Sequence, residues 1–222
     1  IRDSTQGFIA MEKQFLTIGI NGMLEAWEES VWRHLVPYKE FVRGKLRTIF
    51  ARNKSAYEEW GVRFNTEFVP AESLGVKNAK WDREDGLRVP RDCYNSYFYP
   101  VEDESLSILD KMDLHGKEMT EFLDGGSALH LNLETIPTQR GFKSLMRAAI
   151  ANGVNYWTYN VLSTVCDECG HIDPNTLTAC PKCGNSKVDY ATRVIGYLKR
   201  ISNFSSERKK EAGRRFYIKT KL

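Results

Sequence analysis

The sequence predicts an α/β fold, and three observations carry that expectation. Short apolar stretches ending at tight turns alternate along the chain with longer stretches of helical composition. Two such periodicities in alternation argue for a layered sheet or a barrel over a helical bundle. Two Cys-x-x-Cys pairs, Cys166/Cys169 and Cys180/Cys183, follow the last aromatic strand and mark a separate small unit.

The elements follow in order. Phe15 to Ile20 is a strand ended by Asn21-Gly22, and Met23 to Trp32 has helical composition. Pro37 breaks that pattern. A second helix then spans about Tyr38 to Trp60, offering Phe41, Ile49, Phe50, Tyr57 and Trp60 for one buried face. Val62 to Val69 alternates as a strand and runs into Pro70-Ala71-Glu72-Ser73, where Pro at a first turn opens a helix. Asn78 to Arg91 mixes Lys, Asp, Arg and Gly and is expected to be an exposed connection, and Tyr94 to Pro100 is expected to be extended. Ser105 to Leu123 is one or two helices interrupted at His115-Gly116, and Gly125-Gly126 marks a turn. Leu129 to Leu133 alternates with period two, Gly141 to Ala151 is a helix stopped by Asn152-Gly153, and Asn155 to Leu162 is an aromatic strand. No internal repeat or low-complexity tract interrupts the chain.

A chain of 222 residues buries one substantial core, or one and a half domains. With 41% hydrophobic and 27% charged residues and a net charge of +3, it is a soluble globular composition without an electrostatic case for nucleic acid or an anionic membrane. No apolar run has the length of a membrane span and no signal sequence opens the chain. The first residue is Ile1 and not Met, as expected of a sequence that begins inside a longer one. Four of the five cysteines sit in tight pairs, which suits thiolates kept reduced by metal in a cytoplasmic, reducing compartment.

Three places carry chemistry. Cys166, Cys169, Cys180 and Cys183 leave ten residues between the pairs, and a glycine follows the second cysteine of each pair. Two such turns converge four thiolates on one tetrahedral ion, expected to be zinc; with every position filled by protein, the metal is structural. The stretch Ala71, Glu72, Ser73 and Leu74 begins a helix after a strand, so unpaired N–H groups and the positive helix end meet there as a phosphate site. An ordinary helix start with Glu72 complementing the dipole is the alternative. Gly196, set between bulky neighbours in Thr192-Arg193-Val194-Ile195-Gly196-Tyr197-Leu198, is on conformational grounds alone a turn or bulge glycine. The four histidines, His34, His115, His130 and His171, have no metal-ligand spacing and are expected to be structural or exposed. Packing roles are expected for Arg193 and Tyr197. The basic tail with Arg208-Lys209-Lys210 and Arg214-Arg215 reads as the solvated face of a terminal helix.

Arg-Val-x-Gly-Tyr following two Cys-x-x-Cys pairs, about 25 residues from the chain end, resembles the glycyl-radical tail of the anaerobic (class III) ribonucleotide reductases. The likeness covers essentially the whole chain. Thr17 to Gly22 with Glu25, Val69 to Ser73, Tyr94 to Ser96, and Gly125-Gly126 before Leu129-His130 look like landmarks of that family's C-terminal third, in its order. The resemblance implies a portion of a ten-stranded α/β barrel with a finger loop through its middle. Residues 1–162 would be the C-terminal portion of that barrel, 163–190 the zinc knuckle, and 191–222 the radical loop and tail. It implies a radical stored on Gly196, where the absence of a Cβ permits a planar Cα. An S-adenosylmethionine-dependent iron–sulfur activase installs that radical, which then generates a thiyl radical on a cysteine.

The family's substrate is a ribonucleoside triphosphate, reduced with formate or a small dithiol protein in what is expected to be a homodimer of the complete enzyme. In ribonucleotide reductases a loop-to-helix junction holds substrate phosphates, a role that carries onto Ala71, Glu72, Ser73 and Leu74. The chain departs from the pattern in lacking the finger-loop cysteine and the allosteric nucleotide domain. Cys93 does not match the finger-loop context and is expected to be a core or surface cysteine. An N-terminal polypeptide carrying the thiyl cysteine is therefore expected as a partner. Two other readings are a spare-part glycyl-radical protein and a zinc-ribbon module that binds nucleic acid or protein. Barrel-like strands far beyond the tail argue against the first, and the acidic residues Asp167, Glu168 and Asp173 in the knuckle argue against the second.

Overall fold

The computed structural model describes residues 10, 13–71, 73–193 and 198–219. Two small parallel sheets come first. One joins β1 (Phe15–Gly19), β2 (Arg63–Phe68) and β3 (Gly126–Ser127); the other joins β4 (Leu129–Asn132) and β5 (Trp157–Asn160). Ala128 alone separates β3 from β4, and its N–H donates to the Phe68 carbonyl at 2.8 Å, so one sheet leads directly into the other. An antiparallel sheet follows in the order β7-β6-β8-β9, from β6 (Ser163–Cys166), β7 (Ile172–Asp173), β8 (Val188–Arg193) and β9 (Leu198–Arg200). The fold is thus mixed α/β. A ten-stranded barrel is not shown: among the described residues five strands are parallel.

Parallel strands need crossover connections, and helices supply them. They are α1 (Met23–Glu28), α2 (Tyr38–Trp60), α3 (Leu74–Glu84), α4 (Ile108–Leu114), α5 (Lys117–Thr120), α6 (Gln139–Ala151) and α7 (Ser206–Arg214). Local chemistry sets several ends. Gly61 closes α2 in the left-handed region, its N–H donating to the Tyr57 carbonyl at 2.8 Å. Ser107 and Asp110 form a capping box on α4, and the Thr138 and Ser205 hydroxyls accept from Gly141 and Arg208 N–H groups to start α6 and α7. Among the described residues no helix is long and apolar enough to cross a membrane.

Several expectations needed correction. The first helix stops at Glu28, and a 3-10 turn occupies Val31–His34. The buried face of α2 is Phe41, Val42, Leu46, Asn53 and Ala56, whereas Tyr57 and Trp60 are exposed. Their rings are covered by Arg63 at 5.6 Å and Arg52 at 5.0 Å, which shields the aromatic faces without burying them. The third helix begins at Leu74, not at Pro70, because the Ala71 carbonyl is drawn away by the Arg208 Nη2 donor at 2.6 Å and the Ser96 hydroxyl at 3.4 Å. It then runs to Glu84, so the first half of the expected connection from Asn78 to Arg91 is helix, with Ala79 buried.

Tyr94 to Pro100 forms no strand, yet Tyr97, Phe98 and Tyr99 are at most 1% exposed. Asn95 replaces ladder bonds there: its N–H donates to Glu25 Oε1 (2.9 Å), its amide to the Tyr99 carbonyl (2.9 Å), and its Oδ1 accepts from the Tyr97 N–H (2.8 Å). Phe98 stacks on Phe68 with ring centroids 3.4 Å apart. This segment therefore packs into the centre of the one large core, with Leu46, Met112, Leu129 and Leu131.

Candidate functional site

The four cysteines converge. β6 delivers Cys166 and pairs antiparallel with β7 and β8, which brings the second Cys-x-x-Cys back over the first. Each pair sits in the same turn: Gly170 N–H donates to the Cys166 carbonyl at 3.1 Å and Gly184 N–H to the Cys180 carbonyl at 2.9 Å, with both glycines in the left-handed region. Cys166 and Cys183 sulfurs are 3.6 Å apart, Cys169 and Cys180 sulfurs 3.7 Å, and all four lie within 4.8 Å of one another. A tetrahedral ion with metal–sulfur bonds of about 2.3 Å requires sulfurs about 3.8 Å apart, so the donor set fits a metal such as zinc. Burial pushes the Cys180 thiol up, but N–H groups of Cys183 and Lys182 and the sulfurs of Cys183 and Cys169 outweigh it and lower it, while Cys183, despite the Asn185 N–H, is raised by burial and the other three sulfurs. Those amides face the sulfur, as ligation of a thiolate needs. All five cysteines are free of disulfides.

The strand-to-helix junction after β2 gathers separate parts of the sequence. Asn21 donates to the Ser96 hydroxyl at 3.0 Å, Ser96 donates to the Ala71 carbonyl, and Tyr94 N–H donates to the Gly75 carbonyl at 3.1 Å. Ser73, the residue before α3, makes no side-chain cap bond, and Ser73 and Leu74 are exposed. Glu72 lies outside the described residues. On the other side of Val69 is a cavity of about 390 Å³ lined also by Gly125, Gly126, Ser127, His130 and Tyr156.

Gly196 and its neighbours Val194, Ile195 and Tyr197 lie outside the described residues as well. The strands on either side are placed: β8 and β9 pair antiparallel, Arg193 opposite Leu198. Arg193 reaches across to the Thr158 hydroxyl at 2.6 Å on β5, so it packs the hairpin against the second parallel sheet.

The basic tail is not simply a solvated face. Arg208 and Arg215 are 4% and 6% exposed and share Glu211, itself 3% exposed. Arg, Glu and Arg at i, i+3 and i+7 lie on one helix face, the signal that would have found them. The remaining basic side chains behave as expected, Lys210 pairing with Asp92 at the surface (2.9 Å).

His115 and His130 are fully buried, and each is held neutral. Burial, then the nearby His130, pushes His115 down to about 3; burial, then Arg215 and Arg193, pushes His130 down to about 4. His115 Nδ1 lies 2.9 Å from the Ser127 hydroxyl. Cys93 is a core cysteine, 1% exposed, its thiol raised by burial to about 11 despite Arg208 at 3.7 Å. Such a thiol is protonated at neutral pH and is no nucleophile.

Parallel strands with helices between them, joined to a hairpin unit that clusters four thiols, define an α/β protein with a four-cysteine knuckle able to hold a metal ion. Residues 2–217 match the family model described as anaerobic ribonucleoside-triphosphate reductase, and the chain belongs to that family. An anaerobic ribonucleotide reductase structure superposes with a TM-score of 0.82 at 28% identity, covering 98% of this chain and 36% of that one. The Thermotoga maritima enzyme in complex with dATP and CTP superposes with a TM-score of 0.73 at 30% identity, covering 89% and 33%. The same enzyme with dATP in its specificity site gives 0.74 at 28% identity, covering 91% and 34%. The chain thus spans about a third of the length of these structures. No curated protein matches the sequence.

Proposed function

We propose that the chain is the C-terminal part of an anaerobic ribonucleoside-triphosphate reductase and carries the stored radical on Gly196. The observation that carries this reading is the family match over residues 2–217, which includes the Arg193-to-Leu198 stretch. Residues 1–162 would form the barrel portion, 163–190 the knuckle and 191–222 the radical loop and tail. Cys166, Cys169, Cys180 and Cys183 hold a structural zinc that fixes the base of β8, from which the chain enters the Gly196 stretch. Ala71, Glu72, Ser73 and Leu74 receive the substrate's phosphates through backbone N–H groups at the start of α3; nucleotides bound to the T. maritima relative support a nucleotide substrate.

A glycyl radical, once installed by an S-adenosylmethionine-dependent iron–sulfur activase, supplies one-electron chemistry for removing the ribose 2′-hydroxyl. The chain's own residues hold and shield. Cys93 is buried, and because its sequence context does not match the finger loop we assign the thiyl cysteine to another polypeptide. An N-terminal reductase polypeptide supplies that cysteine, formate or a dithiol protein supplies the reducing equivalents, and the complete enzyme is a cytoplasmic homodimer.

Anaerobic incubation with a radical-generating activase tests the assignment. Electron paramagnetic resonance should give a glycyl doublet that Gly196→Ala abolishes. Admission of air should then cleave the activated chain at residue 196, leaving a small piece from about Tyr197 to Leu222, while the alanine variant and never-activated protein stay intact. Cleavage at another glycine would refute Gly196 as the site. No doublet together with tight nucleic-acid binding would favour a zinc-ribbon module.

A further inference from the structure

A buried line of charges joins the two loops on which the proposed function depends. Arg215 donates from Nη1 to the carbonyl of Arg193, the residue before 194–197, at 3.1 Å. Its Nε and Nη2 hold the two oxygens of Glu211 at 2.9 Å each. The same carboxylate accepts from Arg208 Nη1 at 3.2 Å, and Arg208 Nη2 donates to the Ala71 carbonyl at 2.6 Å. The three side chains are 0%, 4% and 5% exposed in the order Arg215, Glu211, Arg208. About 10 Å of helix, the two turns of α7, thus separates a grip on one loop from a grip on the other.

A buried Arg–Glu–Arg triad is a poor device for stability alone. The desolvation of three charges offsets most of their attraction, and the best-attested use of such groups is to specify one arrangement. Here each guanidinium also spends a donor on a backbone carbonyl, so the triad sets the position of main chain at both ends. Burial pushes the Glu211 carboxyl up, but Arg215 and Arg208 outweigh it and keep the group below the usual carboxylate range. The link therefore stays charged across neutral pH. Cys93 packs against the same guanidinium at 3.7 Å.

We propose that Arg208, Glu211 and Arg215 are positioning residues that hold the end of β8, at the Arg193 carbonyl, in register with the Ala71 backbone before α3, so that loosening either end loosens the other. The inference rests on the proposed function for the roles of those loops, but the mechanical coupling is a property of the triad. Coupling of this kind is reciprocal: whatever one loop does to the other, the second returns.

Hydrogen exchange read by mass spectrometry on the full chain tests it with Arg208→Gln and Arg215→Gln, each of which leaves Glu211 paired with the other arginine. Arg208→Gln cuts the contact to Ala71 yet should speed exchange in 191–199 as well as 70–75. Arg215→Gln should do the same from the other end. The expected effect at the remote loop is about tenfold to a hundredfold, the scale of one charge-assisted hydrogen bond. Segments 166–183 and 15–19 should not change, which separates coupling from general loosening.

Sodium tripolyphosphate should protect both segments in the wild type and only 70–75 in either glutamine variant. Loosening confined to the loop that each substitution touches would overturn the proposal. Tripolyphosphate that protects nothing near 70–75 in the wild type would instead remove the phosphate role of that loop, with the coupling still judged by exchange in the ligand-free variants.

Discussion

Gly75 is a residue beside which the fold leaves no room for a side chain. An added Cβ would stand 2.6 Å from the Tyr94 carbonyl oxygen and 3.4 Å from Asn21 Oδ1. Since ordinary contact begins at 3.4 Å, the first turn of α3 must withdraw by about 0.8 Å from backbone that cannot rotate away. Forcing a methyl into packed surroundings costs about 1–3 kcal/mol. The withdrawal also strains the Tyr94 N–H to Gly75 carbonyl bond of 3.1 Å, worth about 0.5–1.5 kcal/mol. Helix propensity returns about 1 kcal/mol to alanine.

The net for Gly75→Ala is a loss of roughly 2 kcal/mol, which in a chain of this length lowers Tm by about 4–8 °C. Gly44→Ala is the internal control. It lies in the middle of α2 with nothing within 4 Å of its added Cβ, so propensity acts alone and Tm rises by about 2–4 °C. Differential scanning calorimetry of the two variants beside the wild type reads both signs. A Gly75→Ala protein that melts at or above the wild type would show that α3 moves freely off Tyr94, and the close approach would have no energetic meaning.

Two further outcomes follow from the four thiols and the buried histidines. Freshly reduced protein should contain about one zinc per chain, and chelation should loosen 163–190 while the parallel-strand body, with its own core, stays folded; metal analysis without zinc would remove the structural role. Acid should destabilise the fold through His115 and His130. Their folded-state values of about 3 and about 4 lie below the ordinary 6.5, so below pH 6.5 the unfolded chain takes up protons that the folded chain refuses. Stability is complete above pH 6.5 and falls toward pH 4 by about 1.4 kcal/mol per unit for each histidine. His115→Gln should flatten this limb in urea titrations at several pH values, and an unchanged slope would refute the buried neutral histidine.

Local signals in the chain were strong where chemistry is short-range. The bounds of α2, Tyr38 and Trp60, were legible because Pro37 precedes them and Gly61 follows. The cysteine cluster was legible because two Cys-x-x-Cys turns need only a hairpin to meet. The face of α2 was not, since apolar spacing alone did not distinguish Leu46, which meets the core, from Trp60, which meets Arg52. The start of α3 was misplaced for a related reason: Pro70 has the local credentials of a first turn, but Arg208, 137 residues later, claims the neighbouring carbonyl.

Composition, turn residues and cysteine spacing by themselves determined an α/β chain with a four-cysteine knuckle that could hold a metal, because each depends on interactions within a few residues. Tertiary structure alone decided that Tyr97, Phe98 and Tyr99 are core without being strand, that Cys93 is sealed, and that Arg208 and Arg215 are buried struts and not a solvated face. Burial of those groups follows from partners far away in sequence, Glu25 for the Asn95 turn and Ala71 for Arg208. A buried charge or an irregular buried backbone is stable only when its partner is in place, and that partner is found only once the chain has folded.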